Sequence, residues 1–192
     1  MRYPTGYKQQ TNERILRAAG RLFRKQGYAA TGVDAVMKSA DLTAGAFYSH
    51  FRSKEDLLAE VLDSVFSESQ NDRPEELSKL RGHAWLRAFV SFYLSKEHRD
   101  VADRGCPMPA LAAEVGRIGG KPRAVFEGHL RRVIDSIADQ FDAASPDHER
   151  AITTMALCLG GLMLARAVKD GKLSEDILQA CRESANKEIA RA

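Results

Sequence analysis

Apolar residues recur every three or four positions through nearly the whole chain, and this period predicts helices. The pattern predicts a first helix over 11–26, ended by Gly27. Two shorter helices follow, one from Val33 to Ala40 and one over 44–51. Strand-length alternation of apolar and polar residues does not occur in the sequence. We therefore expect an all-α protein.

Two short helices separated by a tight turn form the pattern of a helix-turn-helix. Thr31 and Thr43 stand where side-chain hydroxyls cap the two helices, and Ser53 stands where one caps the helix that follows. The second helix begins with Ala44 and Gly45, whose small side chains leave that end of the helix slim. A slim helix end fits deep in a DNA major groove, where backbone and short side chains reach base edges. The segment is therefore interpreted as a DNA reader.

The segment GAFYSHF at 45–51, followed by SKEDL at 53–57, resembles the DNA-binding signature of the TetR/AcrR family of one-component prokaryotic repressors. This resemblance implies a three-helix head and a six-helix body that binds an effector and dimerises. Asp41 stands where most family members have the turn glycine, but aspartate tolerates the left-handed conformation better than most residues. Ala44 replaces a lysine that many relatives carry, which removes one potential DNA contact.

The predicted contacts with a double-stranded DNA operator lie in the helix-turn-helix and just after it. Residues between Thr43 and Tyr48 are expected to face the groove, and His50 and Lys54 to hold phosphates. The full set is Thr31, Thr43, Ala44, Gly45, Tyr48, His50 and Lys54. An arginine row on the first helix is either a solvated face or a second source of phosphate contacts. Its members are Arg14, Arg17, Arg21 and Arg24.

Charge is distributed unevenly along the 192 residues. Residues 1–56 carry ten Lys or Arg against five Asp or Glu, whereas the remainder carries 19 against 21. A basic head on a nearly neutral body is typical of a protein in which one part meets nucleic acid and the other does not. We therefore predict a DNA-binding domain at 1–56 and an effector-binding and dimerisation domain at 57–192.

An aromatic helix predicted over 84–94 supplies half of the candidates for the effector site that the family resemblance implies. The candidates are Trp85, Phe89, Tyr93, Cys106, Met108 and Phe126. Walls of this composition favour a small apolar or aromatic effector. An aromatic stripe at helical spacing suits a plain hydrophobic core equally well, so both interpretations stand at this point.

The last two helices are predicted to begin at Ser145-Pro146 and at Ser174, after a polar loop over 95–104 earlier in the body. Two adjacent glycines in the eighth helix lower helix propensity, which favours a close approach of another backbone. In the family that approach is the homodimer interface, for which the candidates are Leu159, Gly160, Gly161, Met163 and Cys181. The alternative is an ordinary buried contact within one chain.

Other classes of function find little support in the sequence. Three cysteines without CxxC spacing and scattered histidines predict neither a disulfide framework nor a metal site, and we expect no cofactor and no catalytic residues. The N-terminus lacks an apolar signal region, and the most apolar stretch, 151–165, is short for a membrane span. We therefore expect a cytoplasmic protein without membrane attachment. The alternative to a repressor is a thiol-dependent enzyme or redox sensor acting through Cys106, which precedes a helix whose dipole would favour the thiolate.

Overall fold

The computed structural model describes residues 6–71, 75–103 and 105–191. These residues form ten α-helices and one 3-10 helix and contain no strand, which confirms the all-α class. In chain order the elements are α1 (Tyr7–Gln26), α2 (Val33–Ser39), the 3-10 helix (Ala44–Ser49), α3 (Lys54–Asn71), α4 (Glu75–Lys79), α5 (Gly82–Tyr93), α6 (Lys96–Asp100), α7 (Met108–Ile118), α8 (Gly120–Phe141), α9 (His148–Ala167) and α10 (Gly171–Ala190). The predicted helix count was nine, and the two additional elements are the short helices α4 and α6.

Contacts between residues divide the chain into two units. The first contains the described residues up to Gln70 together with Cys106–Glu127, and the second contains those of Asn71–Gly105 and Gly128–Ala192. The first unit therefore includes most of α3 and all of α7, in addition to the helix-turn-helix. The predicted boundary after residue 56 remains a prediction, since the contact-based units follow a different division.

The first unit has a core built from α1, α2, the 3-10 helix and α3. Its fully buried side chains include Ile15, Phe23, Met37, Phe47, Phe51, Leu57, Leu58 and Leu62. Gly20 marks the closest approach of α1 and α3, because a Cβ added there would lie 2.9 Å from Cγ2 of Val65. A larger residue at position 20 would force these helices apart.

The helix-turn-helix is present, but its second helix is tighter than predicted. The 3-10 helix has Thr43 at its N-terminal boundary, although the Thr43 side chain makes no capping hydrogen bond. The backbone N–H of Ala46 donates to the carbonyl of Thr43, and that of His50 donates to Phe47, which is the three-residue spacing of a 3-10 helix. Six residues are too few for a well-nucleated α-helix, so burial of the aromatic side chains determines the local geometry.

The start of α2 also differs from the prediction. Its N-terminal boundary is Gly32, without a side-chain cap. The hydroxyl of Thr31 instead donates to the carbonyl of Gly27 at 2.7 Å and accepts from the Gln26 amide at 3.2 Å. Thr31 thus fixes the end of α1, because its buried hydroxyl meets an orphan carbonyl there before it can reach the N–H groups of α2.

The turn and the next helix start follow the prediction. Asp41 has φ = 55°, the left-handed conformation expected for the residue at the turn glycine position. Ser53 caps α3, since its hydroxyl accepts from the Asp56 N–H at 3.0 Å. Local side-chain chemistry therefore determines both the break after α2 and the beginning of α3.

In the second unit α10 packs against both α9 and α5. Gly161 of α9 lies at the tightest point, where an added Cβ would be 2.8 Å from Sγ of Cys181 and 3.0 Å from Cδ2 of Leu94. The α5 side chains Leu86 and Val90 are fully buried. The small residue in α9 therefore permits close packing within one chain.

Three predicted boundaries in the second unit were wrong. The predicted loop over 95–104 contains α6, which Ser95 caps by accepting from the His98 N–H. Helix α9 is capped by Asp147 and α10 by Asp170, where the predictions were Ser145 and Ser174. Ser174 is buried inside α10, and its hydroxyl donates to the carbonyl of Ala165. An aspartate carboxylate is a strong acceptor for the free N–H groups at a helix start. The helices therefore begin at Asp147 and Asp170 rather than at the predicted serines.

Candidate nucleic-acid interface

The predicted reading surface is the outer side of the 3-10 helix. Thr43, Ala44 and Gly45 are exposed, and Tyr48 is 74% exposed. A Cβ added at Gly45 would meet no described atom within 4 Å, so this end of the helix is open. Short side chains followed by one protruding phenol have the shape that enters a major groove.

Two buried aromatic residues hold this surface in place from the inner side. Phe47 and Phe51 are each 1% exposed, and their ring centroids lie 5.6 Å apart. The Tyr48 ring packs edge-on against Phe47 at 5.2 Å. The alternation of buried and exposed positions therefore anchors the helix while presenting Tyr48 outward.

Thr31 does not belong to this surface. It is 0% exposed, and its hydroxyl is engaged with Gly27 and Gln26 as described above. The predicted DNA contact by the Thr31 side chain is therefore corrected to a structural role.

Lys54, which the sequence predicts to hold a phosphate, contacts Tyr28 in this structure. Its Nζ donates to the carbonyl of Tyr28 at 2.7 Å and lies 4.1 Å from the centroid of the Tyr28 ring. Burial lowers the Lys54 pKa, with Glu114 and Glu55 acting in the opposite direction. Burial, followed by the charges of the same two glutamates and a hydrogen bond to Glu55, raises the pKa of Tyr28 to about 12. The ammonium is thus committed to the turn before α2 in this structure.

His50 lies at the end of the 3-10 helix and is half-buried. Burial, and secondarily the charge of Lys8, lowers its pKa below the ordinary value. The imidazole is therefore neutral at pH 7, and a neutral ring holds a phosphate by one N–H donor rather than by charge.

Two members of the arginine row are engaged with α2 and its following turn. Nη2 of Arg14 donates to the carbonyl of Ala40 at 2.6 Å and lies 3.8 Å from the Asp41 carboxylate. Nη2 of Arg21 donates to the hydroxyl of Ser39 at 3.0 Å. Both arginines connect α1 to the end of α2, and Arg14 also satisfies a carbonyl that has no partner within that helix end. Arg17 is exposed on the same helix.

The turn before α2 is also held by Glu114 of α7, a residue that sequence reasoning missed. The Tyr28 and Ala29 N–H groups both donate to its carboxylate at 2.8 Å. In the sequence Glu114 is simply a polar position on an amphipathic helix, and no local motif marks it. The contact becomes visible only when the fold brings α7 beside α1.

The predicted effector residues fall into two groups, one in each unit. In the second unit Trp85 stacks on Phe89 with centroids 5.1 Å apart, and Phe89 contacts Tyr93 at 5.6 Å. All three are less than 10% exposed. In the first unit Phe126 packs edge-on against Phe66, Met108 is buried, and Cys106 is half-buried. The aromatic residues of α5 therefore form a continuous row of ring contacts, while the role of this row as a ligand wall stays a prediction.

The first unit contains an open cleft of about 270 Å³ beside the start of α3. Its lining includes Arg52, Ser53, Gly119 and Lys121, and none of the six predicted effector residues. Lys121 donates to Asp56 there, and this hydrogen bond holds the Asp56 pKa below its usual value. The cleft thus coincides with an ion pair rather than with the aromatic candidates.

The predicted dimer residues divide between a buried and an open side of α9. Gly161 contacts Cys181 and Leu94 within the chain, so its predicted place in the dimer interface is corrected to an intramolecular one. Gly160 has open space around it among the described residues, and Met163 is 38% exposed. Other large apolar side chains exposed on α9 and α10 are Ile152, Leu164 and Leu173.

Candidate metal ligands and thiols are placed as follows in the described residues. Groups of three or more His, Cys, Asp or Glu side chains that would suit a metal ion do not occur in 6–71, 75–103 and 105–191. Burial, followed by the nearby Cys181, raises the pKa of the Cys158 thiol far above its ordinary value. By length and composition alone, α9 is apolar enough to cross a membrane, a property shared by core helices of soluble proteins.

Comparison with known proteins identifies the family. The model of the tetR family of bacterial regulatory proteins matches residues 15–61, and that of the tetracyclin repressor-like C-terminal domain matches residues 82–181. The chain belongs to the TetR family. It is a TetR family transcriptional regulator with a helix-turn-helix DNA-binding domain, as the signature at 45–57 predicted.

The similarity to individual members of the TetR family covers different shares of the chain. The regulator YerO of Bacillus subtilis is 41% identical over 59 residues, which span 31% of this chain and 20% of that protein. The regulator AcuR of Cereibacter sphaeroides is 28% identical and covers 78% of this chain and 72% of its own. The repressor NemR of Escherichia coli is 24% identical, with shares of 88% and 90%. The solved NemR structure has a TM-score of 0.74 at 21% identity over 93% of this chain and 96% of its own, which shows the common fold.

Proposed function

We propose that this TetR family regulator is a cytoplasmic repressor that binds a palindromic operator as a homodimer and releases it when a small effector binds. The observation that carries the proposal is the reading surface on the 3-10 helix. Thr43, Ala44, Gly45 and Tyr48 are exposed on one side, while buried Phe47 and Phe51 fix the other. A rigid, exposed edge of this kind is suited to base readout.

The phosphate contacts that accompany this readout are proposed to include His50, as the sequence predicted, and a member of the arginine row in place of Lys54. Lys54 is engaged with Tyr28, so we assign the remaining contacts to the N–H of His50 and to the exposed Arg17 of α1. These groups orient the head on the duplex without distinguishing bases. Tyr48 and Gly45 then carry the sequence preference.

The homodimer is proposed to form through the open sides of α9 and α10. Ile152, Met163 and Leu164 of α9 and Leu173 of α10 expose large apolar side chains. Gly160 lies on the open part of α9, where a second helix would approach without meeting a side chain. Two identical copies joined by a two-fold axis place their reading helices in successive major grooves, about 34 Å apart.

The effector is proposed to be small and apolar or aromatic. The support is the row of contacting aromatic rings on α5, formed by Trp85, Phe89 and Tyr93. Cys106, Met108 and Phe126 belong to the other unit and are candidates from the sequence pattern alone. Aromatic walls with one phenol as a polar handle bind ligands of that class. Binding would favour the conformation with lower operator affinity, in proportion to the difference in ligand affinity between the two states.

A second mode of response is favoured by the position of Cys106. This thiol is half-buried directly before Pro107 and the start of α7, whereas Cys158 is fully buried with a raised pKa. The related NemR of Escherichia coli has been solved in its reduced form. Oxidation of Cys106 would release the operator, and reductant would restore binding.

The proposal is tested with a reporter gene placed behind the DNA that precedes the protein's own gene. Wild-type protein should lower reporter expression, and Tyr48→Ala should restore it at equal protein level. Aromatic compounds and peroxide are then added separately to wild type and to Cys106→Ser. Activation of the reporter by wild type would refute the repressor assignment, and peroxide release in Cys106→Ser would refute the thiol route.

A further inference from the structure

The turn between α1 and α2 accepts support from the side chain of Glu114, a residue that is distant in the sequence. Oε2 of Glu114 accepts from the Tyr28 N–H and Oε1 accepts from the Ala29 N–H, both at 2.8 Å. Glu114 follows these residues by 86 and 85 positions and belongs to α7. Two N–H groups on one carboxylate make a bidentate, charge-assisted contact, which is roughly twice as strong as its neutral equivalent.

The other side of the same turn is held by a cation. Lys54 donates to the carbonyl of Tyr28 at 2.7 Å and covers its ring at 4.1 Å. The peptide groups on both sides of Tyr28 are thus fixed, the N–H by an anion and the C=O by a cation. Gly27 completes the arrangement, because it has φ = 86° and a Cβ there would lie 3.3 Å from Oε2 of Glu114.

This turn determines where α2 begins, and α2 packs against the 3-10 helix. A short helix of seven residues has little stability of its own, so its direction depends on the segments that flank it. Arg14 and Arg21 secure the far end of α2 from α1. Glu114 and Lys54 secure the near end. The reading surface is therefore positioned through α2 by groups outside the helix-turn-helix.

We propose that Glu114 is a positioning residue for operator binding, which holds the 27–29 turn and thereby the reading surface. The proposal rests on the function proposed above, in which the 3-10 helix reads the operator. It also means that residues 1–56 are an incomplete reading head, since α7 supplies one of its supports. Glu114 itself touches no base in this account.

The test uses full-length Glu114→Gln. A glutamine offers one acceptor oxygen and one NH₂ donor, so one of the two turn N–H groups loses its partner and faces another donor. Amide hydrogen exchange at Tyr28 and Ala29 in the free protein should accelerate. Operator affinity should fall about tenfold, equivalent to about 1.4 kcal/mol. The salt dependence of binding should not change, because no phosphate contact is removed.

Glu60→Gln is the matched control. Glu60 lies on α3 in the same unit, and the described part of the chain shows no hydrogen bond or ion pair for it. Both variants remove one negative charge, so any increase in the nonspecific electrostatic attraction between protein and DNA is the same in both. The control should bind operator within twofold of wild type. Melting curves of both variants establish that each is folded at the assay temperature.

The outcomes separate this proposal from the function on which it rests. Faster exchange at Tyr28 and Ala29 together with weaker operator binding by folded Glu114→Gln supports the positioning role. Unchanged operator affinity in that variant overturns it, even if the melting temperature falls, because Glu114 would then act on stability alone. If the wild type binds no operator although its Tyr28 and Ala29 amides are protected from exchange, the proposed function is refuted. The hydrogen bonds to Glu114 would then be a feature of the fold only.

Discussion

Gly160 and Gly161 are adjacent in α9 but differ completely in their surroundings. A Cβ at position 161 would lie 2.8 Å from Sγ and 2.9 Å from Cβ of Cys181, and 3.0 Å from Cδ2 of Leu94. A Cβ at position 160 would meet nothing within 4 Å in the described structure. Replacing each glycine by alanine in turn therefore changes the packing within the chain at position 161 and leaves it unchanged at position 160.

The magnitude follows from two opposing effects. Alanine stabilises a helix interior by about 1 kcal/mol relative to glycine, and this gain is common to both positions. Overpacking costs about 1–3 kcal/mol, and at position 161 the Cys181 Cβ is tied to its backbone and cannot rotate away. The free energy of unfolding should thus be about 1–3 kcal/mol lower for Gly161→Ala than for Gly160→Ala. At this chain length, about 2–4 °C of melting temperature corresponds to 1 kcal/mol.

The assay is urea denaturation of both variants at equal protein concentration, since association would contribute to apparent stability. Equal slopes against urea would show that the two variants differ in stability rather than in the extent of unfolding. If Gly161→Ala is as stable as Gly160→Ala, Cys181 and Leu94 move aside at no cost. That result would refute the close packing of α9 on α10 as the reason for this glycine.

Three other substitutions address the dimer, the turn and the response to pH. Gly160→Leu should reduce dimer mass and operator affinity together, as measured by sedimentation and gel shift, because the added side chain occupies the open face of α9. Lys54→Met should lower the free energy of unfolding by about 1–2 kcal/mol and leave the salt slope of DNA binding unchanged, whereas loss of a phosphate contact would reduce that slope by about 0.9. Burial lowers the pKa of His98, whose Nδ1 lies 2.8 Å from the Tyr93 carbonyl, so its unfolded form binds protons more readily. The contribution of His98 to stability should therefore be complete above about pH 7 and be lost as the pH falls through the ordinary histidine pKa toward the lowered one. Urea titrations at several pH values should show a smaller loss for His98→Asn than for wild type.

The parts of this fold that depend on local chemistry were predictable from the sequence. Helical periodicity gave the all-α class, Ser53 capped α3 as expected, and Asp41 took the left-handed turn position. The signature at 45–57 identified the family because several residue types occur in one register. These features depend on residues a few positions apart, which a single sequence displays directly.

Thr31 looks like the cap of α2, but its hydroxyl donates to the Gly27 carbonyl four residues earlier, so this prediction failed because two local partners were available. The other contacts that were missed join distant segments. Lys54 looks like a phosphate ligand until the fold brings the Tyr28 carbonyl within 2.7 Å. Glu114 carries no local signal because its partners are 85 and 86 residues away. A hydrogen bond of this kind has no periodicity from which it could be predicted.

The most direct test of operator recognition is a fluorescence anisotropy titration at two salt concentrations. Purified wild-type protein is titrated into a labelled duplex from the region upstream of its own gene and into a scrambled duplex of equal length and composition. The account predicts tighter binding to the upstream duplex at both salts, with affinity for both duplexes falling as salt rises. Equal affinity for the two duplexes, or no salt-dependent binding to either, would contradict the assignment of the 3-10 helix as an operator-reading surface.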